Sequence, residues 1–460
     1  MGGERTVALD LGSSSVRAVA FDTELRPVRV ARRQVELRQD ASGAATIDAD
    51  EYLGAAVACL DELHAHGALR DTRTVAASCQ WHSLLPMDGS YRPLGPGLSW
   101  MDTRPVPTGP PPEDPVDFHR RTGAWWHALY WPVRIAWLRG EGLVADRWAG
   151  LAEYLTFRLL GVPAATLSSV SGTGALDTVT GRWDAEALSR AGVAESALPP
   201  VAPDDFRGRL VDTYGRRWPE LAGAGWALAI GDGAASALGS GCTGPDRLSV
   251  TVGTSAAVRV VVPGAPEPEE HVWRYRVDSR RSVFGVAYSA GGALYHWVAG
   301  LVGGYPGDPA LDALAPGAHG LVSLPFHAGH RPPLPAYGVG TLHGLRLATT
   351  RADVVAATLE GVCHELADGA RHLDPTGRAT AVLGGGAVAA SPWLGRRLAA
   401  AFGGRAVRCL VADVGARGAA ALATGFTPAP IQEIVEVPDS DVAAMADAAR
   451  HYRALRDRLT

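Results

Sequence analysis

The sequence predicts an α/β protein of two domains, and three observations predict it. A β-branched strand, a turn of glycine and small hydroxyl residues, and a second strand follow one another at residues 6–22 and again at 248–261. After the first hairpin the pattern reads strand, helix, strand, which is typical of a mixed sheet covered by helices. A chain of 460 residues is also too long for one ordinary core. The repeated hairpin therefore predicts a duplicated fold.

The first half is interpreted from its hydrophobic pattern and its capping residues. Residues 6–22 are expected to form a hairpin, and the recurring valines of 27–36 a third strand. Asp48 has the chemistry of an N-cap for a helix that runs to about His66. The many aromatic residues of 124–160 are expected to pack in the core or at a domain face. Further strands are predicted at 74–78, 84–88 and 226–230.

Turn-rich residues at 241–246 predict the boundary between the domains. We therefore divide the chain into residues 1–243, residues 244–430 and a helical tail at 431–460. In the second part, apolar residues at helical spacing predict a helix over 352–373. A strand at 379–383, a helix at 391–402 and a terminal helix at 439–459 complete the prediction.

Composition narrows the class of protein. The net charge is −5 and the isoelectric point about 6.3, so no basic excess indicates nucleic acid or an anionic membrane as a partner. All 43 basic residues are arginine, which excludes a lysine nucleophile and a P-loop lysine. Five scattered cysteines, no leader pattern and no long apolar run predict a cytoplasmic protein with reduced thiols and no membrane span.

The two turns are candidate phosphate-binding sites. Free backbone N–H groups and hydroxyls in a glycine turn form a concave nest that holds phosphate oxygens. On the strand that follows the first turn, Arg17 could add a bidentate contact to a terminal phosphate. Asp10, at the end of the preceding strand, suits a Mg²⁺ ligand beside that phosphate, although a capping role would fit the same position. The candidate phosphate donors are Gly12, Ser13, Ser14 and Ser15 in the first turn and Gly253, Thr254 and Ser255 in the second.

Asp232 lies between two glycines where a predicted strand gives way to a helix. A carboxylate at a helix N-terminus is oriented and stabilised by the helix dipole. This setting suits a general base that takes a proton from a substrate hydroxyl. The Gly-Asp-Gly sequence is common in turns, and its position about 20 residues before the second hairpin is what makes Asp232 the candidate base.

Two further segments concentrate polar side chains beside tryptophan at loop starts. A polyhydroxylated substrate needs directional donors and acceptors together with an aromatic wall, and these segments offer both. Each residue taken alone could equally be an ordinary loop residue. The candidate substrate contacts are Gln80, Trp81, His82, Trp100, Asp102 and Arg104.

The glycine run Gly384–Gly386 follows a predicted strand and precedes a helix, so its backbone could approach a nucleoside or a phosphate. It lacks the spacing of a dinucleotide fingerprint, and the chain has no GxxxxGK[ST] loop. These absences argue against nicotinamide enzymes and P-loop kinases.

Taken in this order, the motifs resemble those of the FGGY family of carbohydrate kinases. The resemblance extends over about residues 5–425. It rests on the two phosphate turns, on Gly231–Gly233 around the family's base, on a glycine segment at 290–297 and on the adenosine motif at 384–387. Within those last two segments, Gly291, Gly292, Gly385 and Gly386 correspond to nucleotide-binding positions.

The resemblance implies two RNase H-like domains of the actin, sugar kinase and Hsp70 ATPase superfamily with a cleft between them. The first domain would bind the sugar and the second ATP. Asp232 would serve as base and, with Asp10, lie near Mg²⁺. Homodimers are compatible with the family.

The substrate follows less directly from the resemblance. Residues 80–85 resemble the Met-His-Ser-Leu segment of gluconokinases, whereas pentulose kinases more often have Met-His-Gly there. Gluconate is therefore the expected substrate, with xylulose or ribulose second and a specialised sugar third. Three residues depart from the family pattern: Trp81 stands where Met is usual, and Arg17 where Lys is frequent. His330, before Arg331, stands where Glu is common, and this third departure predicts a changed contact between the domains.

Two other classes remain open on the sequence. A catalytically silent sugar sensor would keep the fold, but the intact Asp232 and first turn disfavour it. An ATPase of the chaperone or actin type would act without sugar, and the polar set at residues 80–104 argues against it.

Overall fold

The computed structural model describes residues 4–107, 111–289, 291–327, 331 and 339–459. Ala290 and His330, which the sequence argument used, lie outside these residues. Within the described ranges, no helix is both long and apolar enough to span a membrane.

The bounds of the elements in the first half are as follows. The strands are β1 Arg5–Leu11, β2 Ser15–Phe21, β3 Pro27–Gln34, β4 Arg38–Gln39, β5 Ala45–Ile47, β6 Thr72–Cys79, β7 Leu85–Met87, β8 Gly97–Leu98, β9 Arg147–Ala149, β10 Ala165–Thr166, β11 Leu176–Asp177, β12 Arg182–Trp183, β13 Val201–Ala202, β14 Gly225–Trp226 and β15 Ile230–Gly231. The helices are α1 Ala49–Ala65, α2 Pro115–Thr122, α3 Trp131–Gly140, α4 Leu151–Leu160, α5 Leu167–Ser171, α6 Ala185–Ala191, α7 Asp212–Arg217 and α8 Asp232–Gly239.

The second half continues the same alternation. Its strands are β16 Arg247–Val252, β17 Ala256–Pro263, β18 Trp273–Arg276, β19 Arg281–Tyr288, β20 Val322–Leu324, β21 Thr341–His343, β22 Thr380–Gly384, β23 Ala406–Cys409 and β24 Gln432–Ile434. Its helices are α9 Gly292–Leu301, α10 Asp308–Asp312, α11 Arg351–Leu373, α12 Gly386–Ala390, α13 Pro392–Ala401, α14 Val414–Thr424 and α15 Asp439–Leu459.

Two mixed sheets repeat one plan. In the first, β1 pairs antiparallel with β2 and parallel with β6, in the order β14–β6–β1–β2–β3, and β15 also joins β6. In the second, β16 pairs antiparallel with β17 and parallel with β22, in the order β18–β19–β17–β16–β22–β23–β24. In each sheet the hairpin and its parallel neighbour therefore end at the same edge. The predicted duplicated α/β fold is confirmed.

The core follows from the pattern of apolar residues on strands and helices. In α1, Tyr52, Leu60 and Leu63 are fully buried against the first sheet, and the Asp48 carboxylate accepts the backbone N–H groups of residues 50 and 51 as a cap. In α11, a buried apolar face packs on the second sheet. Helices α8 and α14 pack against each other, and α14 also contacts β1 and β6. A helix late in the chain thus helps to cover the first sheet.

Two predicted elements differ from the structure. The strand expected at 226–230 is split into β14 and β15, which both pair with β6, and the carbonyl of Ala229 between them accepts the hydroxyl of Thr166. The predicted helical tail contains a strand, β24, which pairs with β23 and so extends the second sheet. Tyr452 of α15 is fully buried, so this helix is part of the packed structure.

Candidate active site

Both phosphate turns open on one cavity. Its volume is about 260 Å³. Ser13 of the first turn, Thr254 and Ser255 of the second, and Asp232 lie on its wall. The hairpins of two different sheets therefore converge on one carboxylate, as the sequence predicted.

The first turn is closed by its own backbone and supported from below. The N–H of Gly12 donates to the carbonyl of Ser15 over 3.2 Å. The hydroxyl of Tyr52, buried in α1, donates to the carbonyl of Gly12 over 3.1 Å. The amide of Gln80 donates to that Tyr52 hydroxyl over 3.5 Å. The carbonyl of Ser15 is therefore hydrogen-bonded within the turn, and the carbonyl of Gly12 is hydrogen-bonded to the buried Tyr52.

Asp10 lies in a small network of charges. Its Oδ1 accepts the hydroxyl of Ser78 at 2.6 Å, and its Oδ2 lies 3.6 Å from the guanidinium of Arg17. The same guanidinium lies 3.3 Å from Asp413, at the start of α14. Burial raises the pKa of Asp10, while the Ser78 hydrogen bond and the Arg17 charge oppose that rise. Arg17 is thus ion-paired with two carboxylates.

The second turn is held by hydrogen bonds from a glycine segment of its own half, Gly291 and Gly292. The N–H of Gly253 donates to the carbonyl of Ser255 over 2.9 Å. The N–H of Gly292 donates to the carbonyl of Gly253 over 2.6 Å, and that of Gly291 to Thr254 over 3.2 Å. The predicted nucleotide glycines 291 and 292 therefore lie against the turn itself.

Gly385 is the position where glycine is required. Its φ of +99° is a conformation that other residues rarely adopt, and a Cβ atom there would clash with the backbone of Val252, the last residue before the second turn. Gly386 begins α12, and a Cβ there would meet open space. The glycine motif therefore brings α12 close to the end of β16.

Asp232 is the first residue of α8 and faces the cavity. One of its oxygens accepts the N–H of Gly233 at 2.9 Å, and the backbone N–H of Trp81 also bonds to it. Its edge is open to the cleft while protein surrounds it on the other sides. This desolvation raises the pKa of the Asp232 carboxyl, and the cation of Arg259 opposes the rise. A carboxylate with a raised pKa is a better proton acceptor than a fully solvated one.

Two arginines reach the same cavity with no carboxylate at ion-pair distance in the part of the chain that the structure describes. Arg259, on β17, makes one long hydrogen bond of 3.4 Å to Thr251. Arg331 lies with its guanidinium carbon 4.5 Å from the ring centre of Trp100. Burial lowers the pKa of both, that of Arg331 to about 10. Both are cations, because an arginine guanidinium keeps its proton in proteins.

The remaining wall of the cavity is aromatic. Trp81 packs edge-on against Tyr275 at 4.9 Å, and Trp273 stacks on Tyr275 at 4.5 Å. A side chain at Gly231 would clash with Trp81, so this glycine makes room for the indole beside Asp232. Tyr130 shares a hydrogen bond of 2.9 Å with the hydroxyl of Tyr275. Such surfaces suit the C–H faces of a carbohydrate.

Strand β18 of the second half contributes two aromatic residues to this wall and is hydrogen-bonded to the first half of the chain. On β18, the N–H of Arg274 donates to the carbonyl of Gly123 over 3.0 Å. The Arg274 side chain is fully buried and donates to the hydroxyl of Thr178. The neighbours of Arg274 on this strand, Trp273 and Tyr275, are thereby fixed against the first half.

His82 is held neutral in the cavity wall. Its Nδ1 lies 2.6 Å from the carbonyl of Gly172, which fixes that nitrogen as the donor. Burial, together with the cations of Arg134 and Arg331, lowers the pKa of His82 to about 3. With Nδ1 protonated, Nε2 of the neutral imidazole is an acceptor.

The structure places three of the six predicted substrate contacts on the cavity wall, namely Trp81, His82 and Trp100. The other three lie elsewhere. Gln80 is buried beneath the first turn, as described above. Asp102 is buried and accepts the N–H of Ala45 and two nitrogens of the Arg104 guanidinium. The polar atoms of Asp102 and Arg104 therefore bond within the protein, and their predicted contact with substrate gains no support here.

The candidate magnesium ligands fit a cation that keeps most of its water. Across the described ranges, no group of three or more His, Cys, Asp or Glu side chains could hold a metal. Asp10 and Asp232 are close enough for the charge of Asp10 to raise the pKa of Asp232. Magnesium in phosphotransferases is commonly held by one or two carboxylates, water and substrate phosphates, which is the donor set available here.

The sequence argument missed several residues of the site. Trp125 and Tyr130 were expected to be packing residues, yet both line the cavity, while Trp131 and Trp148 are core as expected. Arg259 carried a usable signal, since an arginine in an apolar strand just after a phosphate turn is unusual. Ser78 and Asp413 gave none, because only the fold brings them to Asp10 and Arg17.

The two mixed sheets of one plan bring their hairpins to one cavity, and known proteins with this sequence pattern and fold are sugar kinases. Residues 6–216 match the model of the "FGGY family of carbohydrate kinases, N-terminal domain". The first part of the chain is thus similar to the carbohydrate kinases of the FGGY family.

Relatives of two specificities are similar to the chain. A gluconokinase of Bacillus licheniformis is 25% identical over 391 residues, covering 78% of this chain and 75% of that protein. A xylulose kinase of Streptomyces rubiginosus is 29% identical over 460 residues, covering 93% and 90%. The crystal structure of gluconate kinase from Lactobacillus acidophilus has the same fold, with a TM-score of 0.88 at 21% identity over 99% of this chain and 98% of that one.

Proposed function

We propose that this kinase transfers the γ-phosphate of ATP to a terminal primary hydroxyl of a sugar acid, with gluconate as substrate and 6-phosphogluconate as product. The observation that supports this most directly is the position of Asp232, on the wall of a cavity that both phosphate turns share. The gluconokinase-like segment at residues 80–85 supports the choice of gluconate.

Asp232 accepts the proton of the substrate hydroxyl as that oxygen attacks the terminal phosphorus in line. The backbone N–H groups and hydroxyls of residues 13–14 and 254–255 stabilise the charge on the transferring group, while the N–H groups of Gly12 and Gly253 close the two turns. Trp81, Trp100 and Tyr275 exclude water around the acceptor and so limit transfer to water.

We assign ATP mainly to the second domain, residues 244–430, and the sugar to the first, residues 1–243. Asp10 and Asp232 would hold Mg²⁺ through water, and the ion would neutralise charge on the phosphates. We expect the protein to work in the cytoplasm, since all five cysteines are free thiols.

A pentulose kinase is the second candidate. The observation in its favour is the 29% identity to a xylulose kinase over nearly the whole chain. In that case the same base and turns would act on a neutral ketose, and the aromatic wall would contact a shorter substrate.

A coupled ADP-release assay with ATP and Mg²⁺ separates these candidates. The panel is gluconate, xylulose, ribulose and glycerol, each at the same concentrations, with a blank without acceptor. Turnover on gluconate above the others supports the proposal. Turnover on a ketose above gluconate refutes it in favour of the pentulose kinases, and silence across the panel with ATP still bound would favour the sensor.

A further inference from the structure

The charges in the cavity do not balance. Of the side chains that line it, Arg259 and Arg331 are cations, whereas Asp232 is the one carboxylate among the described lining residues. His82 adds no charge, because its pKa is about 3. The side chains that line the cavity therefore carry an excess of positive charge, and both arginines are partly buried. A partly buried cation without an ionic partner costs free energy that a bound anion would recover.

The negative charge of the transferring phosphoryl group would balance the charge of one of the two arginines, Arg259. Arg259 lies on β17, the strand that leaves the second phosphate turn, and its charge acts on Asp232. It is therefore placed beside the point of transfer, where negative charge accumulates.

Arg331 has different surroundings. Its guanidinium lies over the ring of Trp100, and its charge is felt by Tyr130 and Tyr275 of the aromatic wall. These are the residues that would surround the acceptor. A cation over an indole gains a modest electrostatic attraction and keeps its N–H edges free. Those edges form a planar fork that matches a carboxylate in two parallel hydrogen bonds.

We propose that Arg331, stacked on Trp100, binds a carboxylate at the end of the acceptor away from the phosphorylated hydroxyl and so selects sugar acids over neutral sugars. This inference rests on the proposed function, because it needs an acceptor in this cavity. It adds a recognition residue supplied by the second half of the chain. An acidic acceptor would then join Trp100 of the first half to Arg331 of the second, and its binding would favour the assembled cavity.

The test compares an acid with a neutral acceptor of equal length. The kcat/KM of gluconate and of glucitol is measured for the wild-type protein, for Arg331→Gln and for Arg331→Lys. We expect the gluconate-to-glucitol ratio to fall about 100-fold in Arg331→Gln, mainly through the KM of gluconate, as is usual when a charged hydrogen-bond partner is lost. Arg331→Lys keeps the charge and loses the planar fork, so its gluconate-to-glucitol ratio should lie between those of the wild-type protein and Arg331→Gln. The exposed Arg29→Gln is the matched control.

Binding of gluconate without ATP, measured by calorimetry, separates this inference from the proposed function. Gluconate binding that Arg331→Gln abolishes supports the inference even if no acceptor is phosphorylated. An equal loss for gluconate and glucitol would assign Arg331 a merely structural role and overturn it. No binding of gluconate to the wild-type protein, or an unchanged ratio in Arg331→Gln, would also overturn it. If Arg331→Gln does not fold, the ratio in Arg331→Lys decides.

Discussion

The two phosphate hairpins share one plan and differ in their charges. In the first, Asp10 precedes the turn and pairs across the ladder with Arg17. In the second, Thr251 takes the corresponding place and pairs with Ala257. The first loop is also one residue longer, since Leu11 faces Val16 across four residues while Val252 faces Ala256 across three. A carboxylate before the turn is therefore found in the first hairpin and not in the second.

The arginines of the two hairpins show what this difference does. Arg17 is ion-paired with Asp10 and Asp413, so its charge is balanced by the protein. Arg259 has the hydroxyl of Thr251 and the more distant Asp232. A balanced cation positions its partners, whereas a cation without a close partner is available to a ligand. The first hairpin therefore carries a paired arginine and a carboxylate, and the second carries an arginine whose charge faces the cavity.

The largest effect is expected from the residue between the hairpins. Asp232→Asn removes the proton acceptor and leaves its shape, so kcat should fall about 10³–10⁴-fold while the Kd of ATP stays within about 2-fold. ADP release and nucleotide titration measure the two quantities, with the exposed Asp205→Asn as control. Retained turnover would remove Asp232 from the mechanism.

Arg259→Gln is expected to have the next largest effect. The cation lowers the pKa of Asp232, so its removal lets that pKa rise, and more of the base is protonated at low pH. The acid limb of the kcat/KM profile should move to higher pH, and kcat at neutral pH should fall about 10–100-fold. A profile whose acid limb stays in place, with kcat unchanged, would contradict the assignment of Arg259 to the reaction.

Arg17→Gln tests whether the arginine of the first hairpin has a different role from that of the second. Its ion pairs are partly exposed, so the free energy of unfolding should fall by only about 0.5–1 kcal/mol. Because Asp10 loses the cation that lowers its pKa, the pKa of Asp10 should rise and the KM of Mg·ATP with it. Denaturant unfolding and ATP saturation curves measure both. A loss of kcat as large as that of Arg259→Gln would erase the proposed difference.

Gly385→Ala tests how the glycine motif supports the second turn. At a φ of +99° an alanine should cost about 1–3 kcal/mol of stability and displace Val252 next to the turn. Gly54→Ala on α1 is the control, because a Cβ there meets open space and the residue lies outside the candidate nucleotide site. We expect the first variant to raise the KM of ATP and the second to be near wild type. Equal effects at both positions would show that glycine here serves another purpose.

Much of the fold was predictable, because strands, caps and turns are local signals. The hairpins and helices α1, α11, α13 and α15 appear close to their expected bounds. The position of Asp232 at the start of a helix was predictable from the glycines around it, and its role as base stays a prediction. The partners of Asp102 were not predictable, because sequence spacing does not show that this carboxylate pairs with Arg104. Nor could it show that Tyr275, nearly 150 residues after Tyr130, would meet it in the cavity.

A separate effect is expected on the acid stability of the fold. His82 has a folded pKa of about 3, and His119, His127 and His364 of about 4, all below the ordinary 6.5 because of burial. The unfolded chain therefore binds more protons between about pH 6.5 and 4, so the free energy of unfolding should fall as pH drops through this window. Denaturant curves at steps of pH measure it. Stability that is flat across the window would contradict neutral burial of these histidines.

The central claim is that the two hairpins and Asp232 pass phosphate to a hydroxyl of a sugar acid, and the product tests it most directly. The wild-type protein is incubated with ATP, Mg²⁺ and gluconate, and the mixture is examined by phosphorus NMR. We predict one new monoester resonance coupled to the protons of the terminal CH₂, equal in amount to the ADP formed. Inorganic phosphate in place of that ester, or an ester on a secondary hydroxyl, would contradict the account.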